Sequence, residues 1–293
     1  MNINVRRFRL GDESGVVEVV KKDVLAENIK DYSEIAIQHL VESHNEELIR
    51  RRAEAFHCYV IESDEKIIGV GMIGPYWDSL TESSFFTIFI DPELKGNGLG
   101  RKIIETLQSD EYYLRADRVE IPASITAVEF YKHFGFGFKK FGHIVDKEGI
   151  LRMEKYPKIS EDNADYNQYI VRPYLDNKYH NYKDYIINLS CVLDSEYIDT
   201  NSKNIRIVEL NGETIGFYED NIIDDNTFEI KNLVLDSNFR GRGFGRRIIE
   251  DFISLYDKDV IVNVDDSLVN YFKNIDFEVI DSVNNKYKML RRK

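Results

Sequence analysis

The stretch RGRGFGRR, Arg240 to Arg247, decides the fold together with an earlier counterpart, KGNGLGRK, Lys95 to Lys102. Each stretch follows an apolar run that is typical of a strand, Phe85 to Ile90 and Ile230 to Leu235. Each then leads into a segment whose apolar residues recur at helical spacing. The pattern therefore predicts a unit of strand, short turn, glycine loop and helix, present twice in the chain.

The glycines and cations of these loops indicate that they bind an anion. Three glycines at alternate positions allow the backbone to approach a ligand and to direct its N–H groups toward it. The first helical turn carries Arg101 and Lys102, or Arg246 and Arg247, although the helix dipole disfavours cations there by about 0.3–1 kcal/mol per charge. An anion at the helix start removes this conflict. We therefore expect each loop to bind a diphosphate.

Two other glycine-rich loops do not fit these stretches. The dinucleotide fingerprint is G-x-G-x-x-G, and the P-loop is G-x-x-x-x-G-K-[ST]. In both copies the third glycine comes one residue too early for the fingerprint, and no Gly-Lys-Ser/Thr follows. The observed pattern is instead basic-x-x-G-x-G.

Aligning the chain with itself at an offset of 145 shows a duplication. Between Phe89 and Glu105, eight of seventeen positions are identical to the later copy. A second block, AVEFYKHFGF (Ala127 to Phe136), matches LVNYFKNIDF (Leu268 to Phe277) at an offset of 141. The segment PKISEDNADYNQ between the copies is polar and acidic, without an apolar period. We therefore predict two domains, 1–157 and 169–293, with a linker at 158–168.

Composition excludes several classes of protein. A chain of 293 residues with a net charge of -13 is unsuited to general nucleic-acid binding, which needs a basic surface. The start is not an apolar leader, and no apolar run of about 18 residues occurs, so we expect neither secretion nor a membrane span. Cys58 and Cys191 are far apart and lack metal-type spacing. We expect a cytoplasmic protein with reduced thiols and no metal site.

The basic-x-x-G-x-G pattern resembles the coenzyme A pyrophosphate loop, [RQ]-x-x-G-x-[GA], of the GNAT superfamily of N-acetyltransferases. The AVEFYKHFGF block resembles the late segment of that superfamily, N-x-x-A-x-x-F-Y-x-x-x-G-F. The resemblance implies an α/β (α+β) fold of two consecutive GNAT-like domains. Each would be a mixed, mostly antiparallel twisted sheet flanked by helices. It also implies that acetyl-CoA donates an acetyl group directly to a primary amine of a small molecule or peptide.

The resemblance also implies which residues contact the coenzyme. Ser124 and Asp265 stand where the family usually has an Asn near the pantetheine arm, which puts that contact in doubt. The implied contacts in the first half are Phe89, Ile90, Lys95, Gly96, Asn97, Gly98, Leu99, Gly100, Arg101 and Ser124. Those in the second half are Val234, Leu235, Arg240, Gly241, Arg242, Gly243, Phe244, Gly245 and Arg246.

Three residues are candidates for proton transfer. In relatives a Tyr of the FY segment often protonates the leaving thiolate, and this position is Tyr131 in the first half but Phe272 in the second. Glu229 stands where the histone-acetylating branch carries its catalytic Glu. The first half has Ser84 at that position, with Glu82 two residues earlier on the same strand face. Glu229 and Glu82 are therefore alternative bases, and a water relay could replace either.

The two halves differ in length before the glycine loop. The second half is 21 residues shorter between its first strand and its hairpin, where the first half has a helical segment, Asp31 to Ala55. In the GNAT superfamily this region helps to build the acceptor site. We therefore expect the first half to be catalytic and the second to be a degenerate partner. The alternative is that one or both halves bind acyl-CoA as a sensor or scaffold, without turnover.

Overall fold

The computed structural model describes residues 3–158, 169–175, 180–191, 198–200 and 202–293. The chain divides into two compact units, Met1–Tyr166 and Asn167–Lys293. The predicted linker, 158–168, lies outside the described residues except for Lys158. The domain boundaries at 157 and 169 therefore stay predictions.

The N-terminal unit is built on a seven-stranded sheet with the strand order β1-β2-β3-β4-β5-β7-β6. Neighbouring strands are antiparallel except for the parallel pair β4 and β5. The strands are β1 (Ile3–Arg7), β2 (His57–Ser63), β3 (Lys66–Pro75), β4 (Glu82–Ile90), β5 (Arg118–Ala123), β6 (Gly137–Phe138) and β7 (Leu151–Lys155).

Helices cover both faces of this sheet. On one face, α1 buries Val16, Val20 and Val24 against Val60 and Met72. On the other face, α4 packs so closely on β3 that a Cβ atom at Gly71 would lie 2.6 Å from Ile103 Cγ1. The helices are α1 (Glu13–Ala26), α2 (Glu34–Ser43), α3 (Glu46–Ala55), α4 (Leu99–Gln108), α5 (Glu111–Arg115) and α6 (Val128–Lys132), so that the segment predicted to be helical contains α2 and α3.

The described part of the C-terminal unit repeats this plan. Its sheet has the order β13-β14-β12-β11-β10-β9-β8, and only β11 and β12 are parallel. The strands are β8 (Ile170–Pro173), β9 (Ile205–Leu210), β10 (Glu213–Asp224), β11 (Thr227–Leu235), β12 (Asp259–Asp265), β13 (Glu278–Val283) and β14 (Lys286–Arg291). The helices are α7 (Tyr182–Cys191), α8 (Phe244–Tyr256) and α9 (Asp266–Lys273).

In both units the two parallel strands separate before they end. The pairing of β4 with β5 stops at Ser84↔Glu120, and that of β11 with β12 stops at Ile230↔Val262. Just beyond, each first strand carries a bulge with a residue in the left-handed region, Thr87 (φ 52°) in β4. The corresponding residue in β11 is Asn232 (φ 49°). A bulge bends a strand, so both sheets open beside the glycine loop.

Among the described residues, no helix is both long and apolar enough to cross a membrane. Cys58 is a buried free thiol on β2. Burial raises its pKa to about 12.

Each unit has a core residue whose truncation tests the packing of its glycine-loop helix. Ile103 of α4 and Ile248 of α8 are both buried. We expect Ile103→Ala and Ile248→Ala each to lower the free energy of unfolding by about 2–5 kcal/mol, because a buried side chain is replaced by a cavity. Chemical denaturation followed by circular dichroism measures this. Ile222→Ala is the control, since Ile222 is 68% exposed and should change stability by less than about 0.5 kcal/mol. An unchanged stability of Ile103→Ala would contradict the packing.

Candidate functional site

A cavity of about 1100 Å³ opens between the separated ends of β4 and β5 in the N-terminal unit. Residues 86–90 of β4 form one wall, and the glycine loop with α6 forms another. The predicted coenzyme residues of this half that line the cavity are Phe89, Ile90, Lys95, Gly96, Gly98, Leu99, Gly100, Arg101 and Ser124. The cavity therefore brings together nearly all of the predicted contacts of the first half.

The first glycine loop is open toward this cavity. Gly96 (φ 82°) and Gly98 (φ 76°) are in the left-handed region, and a Cβ atom at either would have no neighbour within 4 Å. The first hydrogen bond of α4 runs from Lys102 N to Gly98 O (3.0 Å), so the preceding N–H groups at the helix start lack intrahelical acceptors. Asn97 is the predicted contact of this half that does not line the cavity, and its Nδ2 donates to Leu94 O (3.1 Å). This geometry fits a diphosphate.

The second loop has the same backbone geometry. Gly241 (φ 72°) and Gly243 (φ 85°) are also open, with no heavy atom within 4 Å of a Cβ atom. Its cations already have local partners: Arg240 Nε donates to Leu235 O (2.7 Å), and Arg246 Nε to Glu250 Oε1 (2.8 Å). The Arg242 guanidinium lies 5.4 Å from the centroid of the Phe239 ring. The backbone therefore fits a diphosphate, and its side chains would have to exchange partners to bind one.

Lys95 of the first loop is bound to two acidic residues at the C-terminal end of α1, Asp23 in its last turn and Glu27 just after it. Its Nζ lies 3.1 Å from Asp23 Oδ1 and 3.3 Å from Glu27 Oε1. Asp23 and Glu27 also line the cavity. Sequence reasoning missed both residues. The available signal was an acid at position 23, which continues the apolar face of α1 that contains Val16 and Val20.

Tyr131 of α6 lines the same cavity as the first loop. Its side chain is 5% exposed, and its ring contacts Phe130 and Phe136. Burial raises the pKa of the Tyr131 hydroxyl, and the negative charge of Asp23 raises it further, so the phenol keeps its proton at neutral pH. In the C-terminal unit Phe272 is similarly buried but has no hydroxyl.

The structure places Glu82 away from the cavity lining, at the end of β4 that is still paired with β5. Its Oε2 accepts a hydrogen bond from Arg118 Nη2 (2.7 Å), and this bond lowers the pKa of Glu82. Arg118 also binds Glu120 (2.9 Å) and Glu154 (3.2 Å). Glu82 is therefore held in an ion-pair network outside the cavity lining, and its role as a base stays a prediction.

Glu229 lies on β11 in the C-terminal unit and is buried. Its Oε1 accepts from Asn263 Nδ2 (2.6 Å), and its Oε2 accepts from Asn221 Nδ2 (3.4 Å). Lys231 Nζ lies 3.5 Å from Oε2. The carboxylate is thus held by neutral and cationic donors in the unit that carries Phe272, and its role as a base stays a prediction.

A further part of the cavity lining is formed by the segment that we expected at the acceptor site, Asp31 to Ala55. The residues of this segment that line the cavity are mostly apolar and include Tyr32 and His39. A loop before β7 completes it, and a Cβ atom at Gly149 would lie 2.8 Å from the Tyr32 ring. Behind the β4 wall, Arg52 Nη1 of α3 donates to Thr87 Oγ1 (2.9 Å). Helix α2 therefore lines the cavity, and α3 supports its β4 wall.

Comparison with known proteins gives the same family for both halves. The model of the acetyltransferase (GNAT) domain matches residues 28–156 and 177–289. The chain is 28% identical over 97 residues to GCN5-related N-acetyltransferase 2, chloroplastic, of Arabidopsis thaliana. That match covers 33% of this chain and 34% of the Arabidopsis protein, so the chain spans about a third of the length of this curated relative.

Among solved structures, the chain is similar to the PaiA N-acetyltransferase of Thermoplasma acidophilum in complex with coenzyme A. The identity is 16% and the TM-score 0.47, with 53% of this chain and 99% of that chain covered. It is also similar to a GCN5-related N-acetyltransferase of Rhodopseudomonas palustris, with 16% identity, a TM-score of 0.45, and coverage of 53% and 96%. Since the family model matches most of the chain in two copies, the chain belongs to the GNAT acetyltransferase family, whose acyl donor is acetyl-CoA.

Proposed function

We propose that the N-terminal unit transfers an acetyl group from acetyl-CoA directly to a primary amine of a small molecule or peptide. One observation carries the proposal: an open glycine loop and the buried hydroxyl of Tyr131 line the same cavity. The loop provides N–H groups for a diphosphate, and α6 provides a protonated phenol. Bound acetyl-CoA supplies an electrophilic thioester carbonyl and a thiolate leaving group.

The residues of the cavity have separate tasks in this proposal. The N–H groups of the loop, with Arg101, hold the diphosphate at the start of α4. Tyr131, which is protonated at neutral pH, donates its proton to the leaving sulfur as the carbon–sulfur bond breaks. The wall formed by α2 and the loop before β7 positions the acceptor. Placing donor and acceptor in one cavity lowers the entropic cost of their reaction.

For the C-terminal unit we propose coenzyme binding without transfer. Its loop retains two open, left-handed glycines, which supports binding. Phe272 occupies the position of Tyr131 and cannot donate a proton. A non-catalytic acyl-CoA site is therefore the better proposal for this half.

Tyr131→Phe tests the assigned proton donor. We expect turnover to fall about 10- to 1000-fold with little change in coenzyme affinity, because only the hydroxyl is lost. Release of free thiol from acetyl-CoA in the presence of a panel of amines measures turnover, and calorimetry with coenzyme A measures affinity. Tyr112→Phe removes a hydroxyl outside the cavity lining and serves as the control. Unchanged turnover of Tyr131→Phe would reject Tyr131 as the acid.

The number of coenzyme sites tests the role of the two loops. We expect calorimetry to give two coenzyme A sites per chain. Gly98→Asp and Gly243→Asp should each remove one, because a carboxylate and a strained backbone are introduced where the diphosphate would bind. Gly212→Asp is the matched control, since Gly212 also has a positive φ (80°) but lies in a hairpin turn. A single site that survives Gly243→Asp would contradict the proposal for the C-terminal unit.

A further inference from the structure

Neither predicted base lines the N-terminal cavity, so the acidic side chains of the cavity itself become relevant. Three carboxylates are found among the described residues that line the cavity: Asp23, Glu27 and Glu148. The side chain of Glu148 is 69% exposed and is paired with Arg152 (2.8 Å). Glu27 is paired with both Lys30 (3.1 Å) and Lys95. Asp23 is the buried member of the three.

Asp23 sits in an environment that disfavours its negative charge. It lies on the apolar face of α1, one residue before the fully buried Val24. Burial, reinforced by the charges of Glu27 and Asp91, raises the pKa of its carboxyl, and Lys95 opposes this shift. A carboxylate with a raised pKa is a stronger base than one in water, which suits proton transfer near neutral pH.

The negative charge of Asp23 raises the pKa of the Tyr131 hydroxyl, in addition to the effect of burial. The two side chains come from different elements, α1 and α6, and line one cavity. Their chemistry is complementary, because one can accept a proton and the other can donate one. Proton acceptor and proton donor therefore face the same reaction volume.

Lys95 links Asp23 to the glycine loop. Its ammonium is 3.1 Å from Asp23 Oδ1, and the same residue belongs to the loop that fits a diphosphate. A diphosphate at the loop would compete with Asp23 for this ammonium. When the ion pair with Lys95 is weaker, the negative charge of the buried Asp23 carboxylate is less stabilised. The carboxylate is then a stronger base.

We propose that Asp23 is the residue that accepts the proton of the attacking amine, and that Lys95 sets its strength as a base according to the occupancy of the glycine loop. This inference rests on the function proposed above. Asp23 takes a proton from the amine as the amine nitrogen bonds to the acetyl carbon. Tyr131 gives its proton to the sulfur as the carbon–sulfur bond breaks. Asp23 then loses its proton to solvent, and the Tyr131 phenolate regains one from solvent.

Asp23→Asn tests the base directly. We expect turnover to fall about 100- to 10,000-fold near neutral pH, because the carboxamide keeps the shape of the side chain and cannot accept the proton. The loss should shrink as the pH rises toward the pKa of the amine, since solvent then deprotonates the acceptor. A pH profile of turnover measures both effects. A side chain with only a structural role would not produce a loss that depends on pH in this way.

Glu18→Gln is the matched control, because it removes an exposed carboxylate from the same helix. It should keep the turnover and the pH profile of the unchanged protein. Asp23→Asn with unchanged turnover and an unchanged profile would overturn the assignment. Thermal unfolding of each variant confirms that the protein tested is folded.

A second measurement does not depend on turnover. Binding of coenzyme A, followed by calorimetry in buffers of different ionisation enthalpy, reports the protons taken up by the protein. Above the ordinary pKa of an aspartate carboxyl we expect net uptake on binding, because competition for Lys95 raises the proton affinity of Asp23. Asp23→Asn should abolish this contribution, Lys95→Gln should reduce it, and Glu18→Gln should retain it. Equal uptake in Asp23→Asn and in the unchanged protein would reject the coupling.

The two experiments separate the inference from the function on which it rests. If the unchanged protein releases no thiol with any amine, the proposed function fails and the assignment of Asp23 as its base fails with it. If the unchanged protein is active and Asp23→Asn is equally active, only the assignment of Asp23 fails.

Discussion

The site depends on the early separation of two parallel strands. Only three residue pairs join β4 to β5, from Glu82↔Arg118 to Ser84↔Glu120, although both strands continue beyond them. Backbone groups that leave a ladder need other partners, and here they border a cavity that a ligand can enter. The helix after β4 brings the glycine loop to this opening, and α6, which follows β5, brings Tyr131 beside the loop. The cavity thus exists because β4 and β5 stop pairing before they end.

The features that the sequence predicts well are those that depend on local backbone geometry. Alternating glycines before a helical pattern predict left-handed backbone at a helix start, and Gly96 and Gly98 have it. The repeat of this pattern predicts a second sheet of the same kind, which the described C-terminal residues form. The exchange of Tyr131 for Phe272 is also visible in the aligned segments, because the surrounding spacing is retained.

The features that the sequence does not predict depend on pairs of residues that are distant in the chain. Period-two alternation places Glu82 on a strand face, but it does not show that Arg118 of the neighbouring strand binds its carboxylate. Likewise, nothing in the sequence of α1 or of the glycine loop indicates that the two are neighbours. The fold brings Asp23 of α1 to Lys95 of the loop. The ion pair of Glu82 with Arg118 and that of Asp23 with Lys95 each join elements that are far apart in the sequence. Both follow from which strands and helices are neighbours.

The bulge at Thr87 has a consequence for the energetics of the fold. A β-branched residue with φ 52° is in a conformation that costs on the order of 1–3 kcal/mol, and such strain persists only where its surroundings enforce it. The hydrogen bond from Arg52 helps to hold Thr87 in place. The strained bulge therefore lowers the stability of the sheet at the place where the sheet is open. A substitution of Thr87 that removes this strain would raise thermal stability and change the β4 wall of the cavity. Stability and activity often conflict in enzymes in this way.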